Sequence, residues 1–145
     1  MTAYADTGFL CSLYAPDAHS GRAVARMRRQ ALPLAFTWVH QLEFRNAIRL
    51  RVFRGEITPA QGDASLNTLL ADLAGGVLVA ASPPLTEVMI EAERLSALHS
   101  ETLGTRSLDI LHVAAALALG LALLLTFDAR QAALARAAGL KVPTL

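Results

Sequence analysis

Four carboxylates stand where a chain of this kind can do chemistry. Asp6 closes the apolar, β-rich segment TAYAD, and Glu43 lies in HQLEFRNA. Asp109 lies in RSLDILHVAAAL, and Asp128 follows LALLLTF. The four are separated by 37, 66 and 19 residues. Singly, each has an ordinary structural use: Asp6 or Asp128 as a helix N-cap worth about 1 kcal/mol, Asp109 as a first-turn acid facing the helix dipole, Glu43 as a solvated or arginine-paired helix residue. Converging on one crevice they would repel unless cations neutralised them. An oxygen-only set of this kind suits a hard divalent ion, Mg²⁺ or Mn²⁺, which keeps waters and shares its coordination with phosphates.

Other chemistries lack their parts. His19, His40, His99, His112 and Cys11 form no close ligand pair for zinc. His112, one turn after Asp109, is expected to pack rather than to act as a base. No Asp-x-Asp follows the first strand, since Asp6 is followed by Thr7 and Gly8. The one lysine, Lys141, is near the chain end, and no Gly-rich GKS or GKT loop occurs. Cys11 and the serines have no His/Asp context for a nucleophilic triad.

The elements that must position the acids read as alternating strands and helices. Residues 2–6 predict a strand that turns into a helix at Thr7–Gly8, ending before Pro16. A second helix is expected from a capping Asp17 to Gln30, with Ala23, Val24 and Met27 inward. Leu32–Thr37 predicts a strand. Thr37 then caps a helix from Trp38 to Phe53 whose apolar face includes Val39, Leu42, Ala47, Leu50 and Phe53, and Gly55 can end it. Thr58-Pro59 opens another helix to about Leu73, bearing Leu66, Leu69, Leu70 and Leu73 and completing a helical hairpin.

VLVAA, up to Ala81, predicts a buried strand, and Pro83-Pro84 leads into a helix with Val88, Ile90, Ala92, Leu95 and Leu98. His99–Thr105 is expected as a polar loop, and Ser107 as the cap of a helix to about Leu119. LALLLTF is a strand, a last helix runs to about Ala138, and LKVPTL can add an edge strand. Strands each followed by helix imply a parallel sheet between helical layers, with ligands bound beyond the carboxyl ends of its strands. Asp6 and Asp128 both fall there.

Composition bounds the rest. A chain of 145 residues, 54% hydrophobic and 17% charged, implies one folded domain and excludes disorder. The longest uncharged apolar run, Val113–Leu125, is shorter than the roughly 20 residues that span a bilayer. MTAYADTGFL lacks the basic start and uninterrupted apolar stretch of a signal peptide, so a cytoplasmic location is expected. The net charge of +1 hides an asymmetry: Ser20–Arg54 carries eight arginines and one acid, +7, while the remainder carries five bases and eleven acids, −6. Arginine suits bidentate phosphate contacts, but a solvated helix face or a partner contact uses it too.

YADTGFL, the acid in HQLEFRNA, RSLDILHVAAAL and LLTFDARQ, in that order, resemble the PIN-domain ribonucleases and, within them, the VapC-type toxins of bacterial toxin/antitoxin modules. The resemblance runs from Tyr4 to about Val142. It implies an α/β fold, a PIN-like three-layer α/β/α sandwich around a mostly parallel sheet, as a single nuclease domain over residues 1–145. It implies that Asp6, Glu43, Asp109 and Asp128 are both the catalytic and the metal-binding residues, with Thr7 and Thr126 supporting them. The implied activity is Mg²⁺- or Mn²⁺-dependent endonucleolytic cleavage of RNA by a metal-activated water, leaving a 5′-phosphate and a 3′-hydroxyl.

The implied partners are an RNA substrate, a cognate antitoxin whose C-terminal segment covers the site, and a second copy in a homodimer. The Trp38–Leu73 hairpin, with Trp38, Phe44, Phe53 and the leucines of its second helix, is the expected place for the antitoxin groove. Two alternatives stand beside this reading: a housekeeping PIN-like nuclease without an antitoxin, and a non-catalytic module that keeps the fold for partner contacts.

Overall fold

The computed structural model describes residues 2–145. Its elements are β1 (Tyr4–Ala5), α1 (Thr7–Tyr14), α2 (Ser20–Arg29), β2 (Leu34–Phe36), α3 (Trp38–Phe53), α4 (Pro59–Gly75), β3 (Leu78–Ala80), α5 (Leu85–Leu103), α6 (Ser107–Ala118), β4 (Leu124–Leu125) and α7 (Ala129–Ala137). All pairings are parallel: β1 with β4 in register Tyr4↔Leu124, and β2 with β3 in register Leu34↔Leu78. An Ala3↔Leu34 bridge joins the two pairs, giving the order β3-β2-β1-β4.

The three layers follow from the two-residue period of the strands. Ala3 and Ala5 of the first strand region, Leu34 and Phe36 of β2, and Leu125 of β4 point into one core, with Phe9, Leu10, Phe44, Ile48 and Leu69 of α1, α3 and α4. Tyr4, Ala35 and Leu124 point the other way, into a core built with Val88, Leu95, Val113 and Leu134 of α5, α6 and α7. Ala114, Ala115 and Ala116 are fully buried in the second core, where their small side chains let α6 run close to its neighbours. This is the expected three-layer α/β/α arrangement.

Several boundaries differ from the sequence expectations, each for a local reason. α2 begins at Ser20, because the Asp17 carboxylate accepts from the His19 N–H and the Ser12 hydroxyl in the preceding turn. Residues 99–103 are helical rather than loop, since nothing stops α5 before Gly104, which ends it in the left-handed conformation at φ 64°. Ser107 is the first residue of α6, and Arg106 takes the cap position.

β3 is an edge strand with only Leu78 buried, and β4 is two residues long. LKVPTL contributes a single bridge, Lys141 to Leu123. The helix packing also departs from the expected faces. α3 packs through His40, Phe44 and Ile48, leaving Leu42 73% and Phe53 87% exposed, and on α5 Ile90 and Leu98 face outward. No helix is long and apolar enough to cross a membrane.

Candidate active site

Asp6 and Asp128 sit at the carboxyl ends of the adjacent parallel strands β1 and β4, and each caps the helix that follows. The Phe9 N–H donates to Asp6 Oδ1 at 2.8 Å. The Arg130 and Gln131 N–H groups donate to Asp128 Oδ1 at 2.8 and 2.9 Å. Each cap uses one carboxylate oxygen and leaves the other for the site, so the capping and chemical uses of these acids coexist.

Thr126 joins the pair. Its hydroxyl donates to Asp6 Oδ2 and accepts the Asp128 N–H at 2.9 Å. Asp6 is 8% exposed. Burial pushes its carboxyl above the ordinary range, outweighing the Thr126 and Phe9 hydrogen bonds.

Glu43, in the second turn of α3, is held from the other side of the sheet. His112 Nε2 lies 2.7 Å from Glu43 Oε2 and 3.1 Å from Thr7 Oγ1, and its Nδ1 lies 2.9 Å from the Tyr4 hydroxyl. Burial holds the Tyr4 phenol protonated, which leaves it an O–H able to donate to Nδ1. With Tyr4 as donor, Nε2 carries the N–H that faces Glu43. Burial also raises Glu43, but the hydrogen bonds from His112 and Thr7, with the nearby Arg106 charge, outweigh it and hold the carboxyl below its ordinary value.

Asp109, in the first turn of α6, accepts from Arg106 Nε at 3.3 Å through Oδ2. Arg106 Nη2 stands 3.9 Å from Asp128 Oδ2. Glu43 and Asp109 line one cavity of about 310 Å³ with Arg106, Ser107 and Leu108.

The four acids are therefore linked in pairs: Asp6 to Asp128 through Thr126, Asp109 to Asp128 through Arg106, and Glu43 to Asp109 across a shared cavity. Among the described residues no three His, Cys, Asp or Glu side chains close around a single point as a finished ligand cage. The donor set is nonetheless all oxygen, and its buried member carries a charge that burial disfavours. In chemistry it fits a hard divalent cation.

Residues 3–137 match the family described as the PIN domain. The chain belongs to the PIN domain family. No curated protein matches it. Among solved structures it is similar to the Mycobacterium tuberculosis toxin VapC20, described as cleaving the sarcin-ricin loop, with 16% identity, TM-score 0.70, and coverage of 91% of this chain and 94% of that one. It is similar to VapBC2 from Rickettsia felis, bound to a DNA fragment from their promoter, at 14% identity and TM-score 0.66, covering 99% and 98%. FitAcB from Neisseria gonorrhoeae gives 18% identity and TM-score 0.62, covering 97% and 96%. At these identities the shared property is the fold.

Three site contacts of this PIN domain lay outside the sequence expectations. Glu43 pairs with His112 rather than with an arginine. The spacing of His112 one turn after Asp109 placed it on the right helix face, but its partner lies 69 residues away in sequence. The arginine that touches the acids is Arg106, from outside the basic Ser20–Arg54 span. Within that span, Arg51 is committed to Glu56 and the Pro16 carbonyl, while the Arg22 guanidinium lies 5.0 Å from the centre of the Phe127 ring, next to Asp128.

The third is His40. Its Nδ1 accepts the Thr37 N–H at 3.0 Å and its Nε2–H donates to the Ala5 carbonyl at 2.8 Å, pinning the start of α3 to the end of β1.

The main apolar groove is also placed differently. A cavity of about 450 Å³ runs between α3 and α6, lined by Trp38, Leu42, Ala47, Leu50, Leu108 and Leu111, with Glu43 at its wall. Phe44 is in the core, Phe53 lies outside the groove, and the leucines of α4 do not line it.

Proposed function

We propose that this PIN domain, as a single nuclease domain over residues 1–145, is a Mg²⁺- or Mn²⁺-dependent endoribonuclease acting as the toxin of a toxin/antitoxin pair. Asp6, Glu43, Asp109 and Asp128 are its catalytic and metal-binding residues. The observation that carries the reading is the linkage of Asp6 and Asp128 through Thr126 at the ends of adjacent parallel strands, with Glu43 and Asp109 sharing the cavity alongside. Family membership and the likeness in fold to VapC20, VapBC2 and FitAcB support it.

A divalent ion held by these carboxylates would lower the pKa of a bound water and neutralise charge at the scissile phosphate. The protein's own groups do the rest. Thr126 and the Phe9 N–H orient the Asp6 carboxyl and offset part of the cost of burying it. Asp128, at 44% side-chain exposure, marks the side open to substrate. Arg106, 69% exposed beside Asp109 and Asp128, is placed to donate to non-bridging phosphate oxygens, and Arg22 over Phe127 extends a cationic surface along the substrate. Hydrolysis would leave a 5′-phosphate and a 3′-hydroxyl.

The antitoxin would lay an apolar segment into the α3/α6 groove, covering the wall that carries Glu43. Leu85 and Met89, exposed one turn apart on α5, offer a face to a second copy. The proposed location is the cytoplasm.

Sequencing of RNA 5′ ends after induced expression tests the reading. New cleavage sites, growth arrest relieved by Asp6→Asn or Asp109→Asn, and rescue by co-expressed antitoxin are the expected results. Continued toxicity of both variants would overturn it.

A further inference from the structure

The two buried histidines next to the acids use their hydrogen bonds in different ways. His40 is satisfied largely by backbone: it accepts from the Thr37 N–H and donates to the Ala5 carbonyl. Such a histidine holds elements together. His112 is 2% exposed and has no backbone partner. Its contacts are the side chains of Tyr4, Thr7 and Glu43. A buried imidazole with only structural work could be met by nearby carbonyls, whereas this one is directed at a carboxylate.

Glu43 also differs from the other three acids in how it is held. Asp6 and Asp128 are fixed by backbone N–H groups of the helices they cap, and Asp109 by Arg106 from its own helix turn. Glu43 has the longest side chain of the four and no backbone donor. Its carboxylate is met by side chains alone, His112 Nε2 at 2.7 Å with the Thr7 hydroxyl alongside. The His112 bond engages Oε2.

We propose that His112 positions Glu43 for cation binding, with the Tyr4 hydroxyl fixing the imidazole as the tautomer that presents Nε2–H to the carboxylate. This rests on the nuclease reading above. Hydrogen bonds from a neighbouring group set the orientation of a ligating carboxylate, and their loss typically costs 10- to 100-fold in metal affinity or activity. α6 carries Asp109 and His112 three residues apart on one face, so a single helix supplies one acid and the support of another.

The test uses the full chain and Mn²⁺ alone, with binding followed by electron paramagnetic resonance and ring tautomer by ¹⁵N NMR of the metal-free protein. The parent is expected to bind Mn²⁺ and to show His112 protonated on Nε2. His112→Leu is expected to bind Mn²⁺ about 10- to 100-fold more weakly. His112→Gln, which keeps an N–H near the ε position, should recover most of that loss. Tyr4→Phe, which removes one oxygen, should weaken the Nε2 tautomer preference and cost several-fold in affinity.

If His112→Leu does not fold, the Gln and Phe variants decide. A purely structural His112 predicts lower melting temperature with unchanged Mn²⁺ affinity in every folded variant, or a parent tautomer protonated on Nδ1, and either result overturns the inference. A parent chain that binds no Mn²⁺ overturns the nuclease reading and this inference with it. A parent that binds alongside variants that bind equally well overturns the inference alone.

Discussion

The Thr126 hydroxyl donates to Asp6 Oδ2, tying the residue that follows β4 to the residue that follows β1 across 120 positions of sequence. The same oxygen accepts the Asp128 N–H, so one hydroxyl sets the spacing of two acids on adjacent parallel strands. Thr126→Val keeps the shape and removes both bonds. It is expected to destabilise the fold by about 1–3 kcal/mol, because the buried Asp6 carboxylate loses a donor. Cleavage is expected to fall roughly 10- to 100-fold. Chemical denaturation and single-turnover cleavage check the two effects separately.

Asp6 should trade stability for function. Burial raises its folded-state pKa above the unfolded value, so its contribution favours the fold at low pH and is lost as pH rises through the folded pKa. Asp6→Asn keeps a capping side chain and removes the charge. It is expected to melt higher than the metal-free parent at neutral pH, by roughly 2–4 °C per kcal/mol gained, with the gap closing toward acid pH. Mn²⁺ should raise the melting temperature of the parent and not of Asp6→Asn.

His40 gives the opposite pH dependence. Burial lowers its pKa from 6.5 to about 3, so the folded state refuses a proton that the unfolded state accepts. Its contribution is complete above about pH 6.5 and falls by about 1.4 kcal/mol per pH unit below it. His40→Gln places the usual capping-box residue at the third position of α3 and should remove one proton's worth of slope. Denaturant midpoints between pH 7 and pH 4.5 measure this, and an unchanged slope would contradict it.

Arg106 is exposed and touches two acids, so its role should separate from metal binding. Arg106→Ala is expected to leave Mn²⁺ affinity unchanged or tighter, to raise KM for RNA, and to reduce the salt dependence of RNA binding by about 0.7 in the log–log slope for one lost phosphate contact. A large loss of Mn²⁺ affinity would argue against this role.

The α3/α6 groove predicts a variant that kills without restraint. Leu42 and Leu108 are exposed, so Leu42→Asp and Leu108→Asp should leave the melting temperature near the parent's. They should block neutralisation by the cognate antitoxin in a co-expression growth assay. Neutralisation equal to that of the parent would remove the groove as the docking site.

Much of this was legible in the sequence because it depends on local order. The strand–helix alternation gave the layers, Thr58-Pro59 and the αL glycines marked helix ends, and Asp6, Asp109 and Asp128 fell at the starts of helices, where capping and the helix dipole favour acids. What was not legible depends on partners distant in sequence. α3 carries apolar residues on more than one face, so spacing alone could not say that Phe44 and Ile48 go inward while Leu42 and Phe53 stay out. The Glu43–His112 pair and the Thr126–Asp6 bond span 69 and 120 residues. No local pattern encodes them, and they exist only once the sheet sets the register. The charge distribution marked the basic Ser20–Arg54 span, while the arginine in contact with the acids is Arg106.

The most direct measurement is cleavage of RNA by the purified chain with Mn²⁺ and with a chelator, alongside Asp6→Asn and Asp109→Asn. Cleavage is expected with Mn²⁺, leaving 5′-phosphates, and none with chelator, with a loss of about 10²- to 10³-fold in each variant, on the scale seen when transition-state charge stabilisation is removed. Cleavage that survives the chelator, or variants as active as the parent, would contradict it.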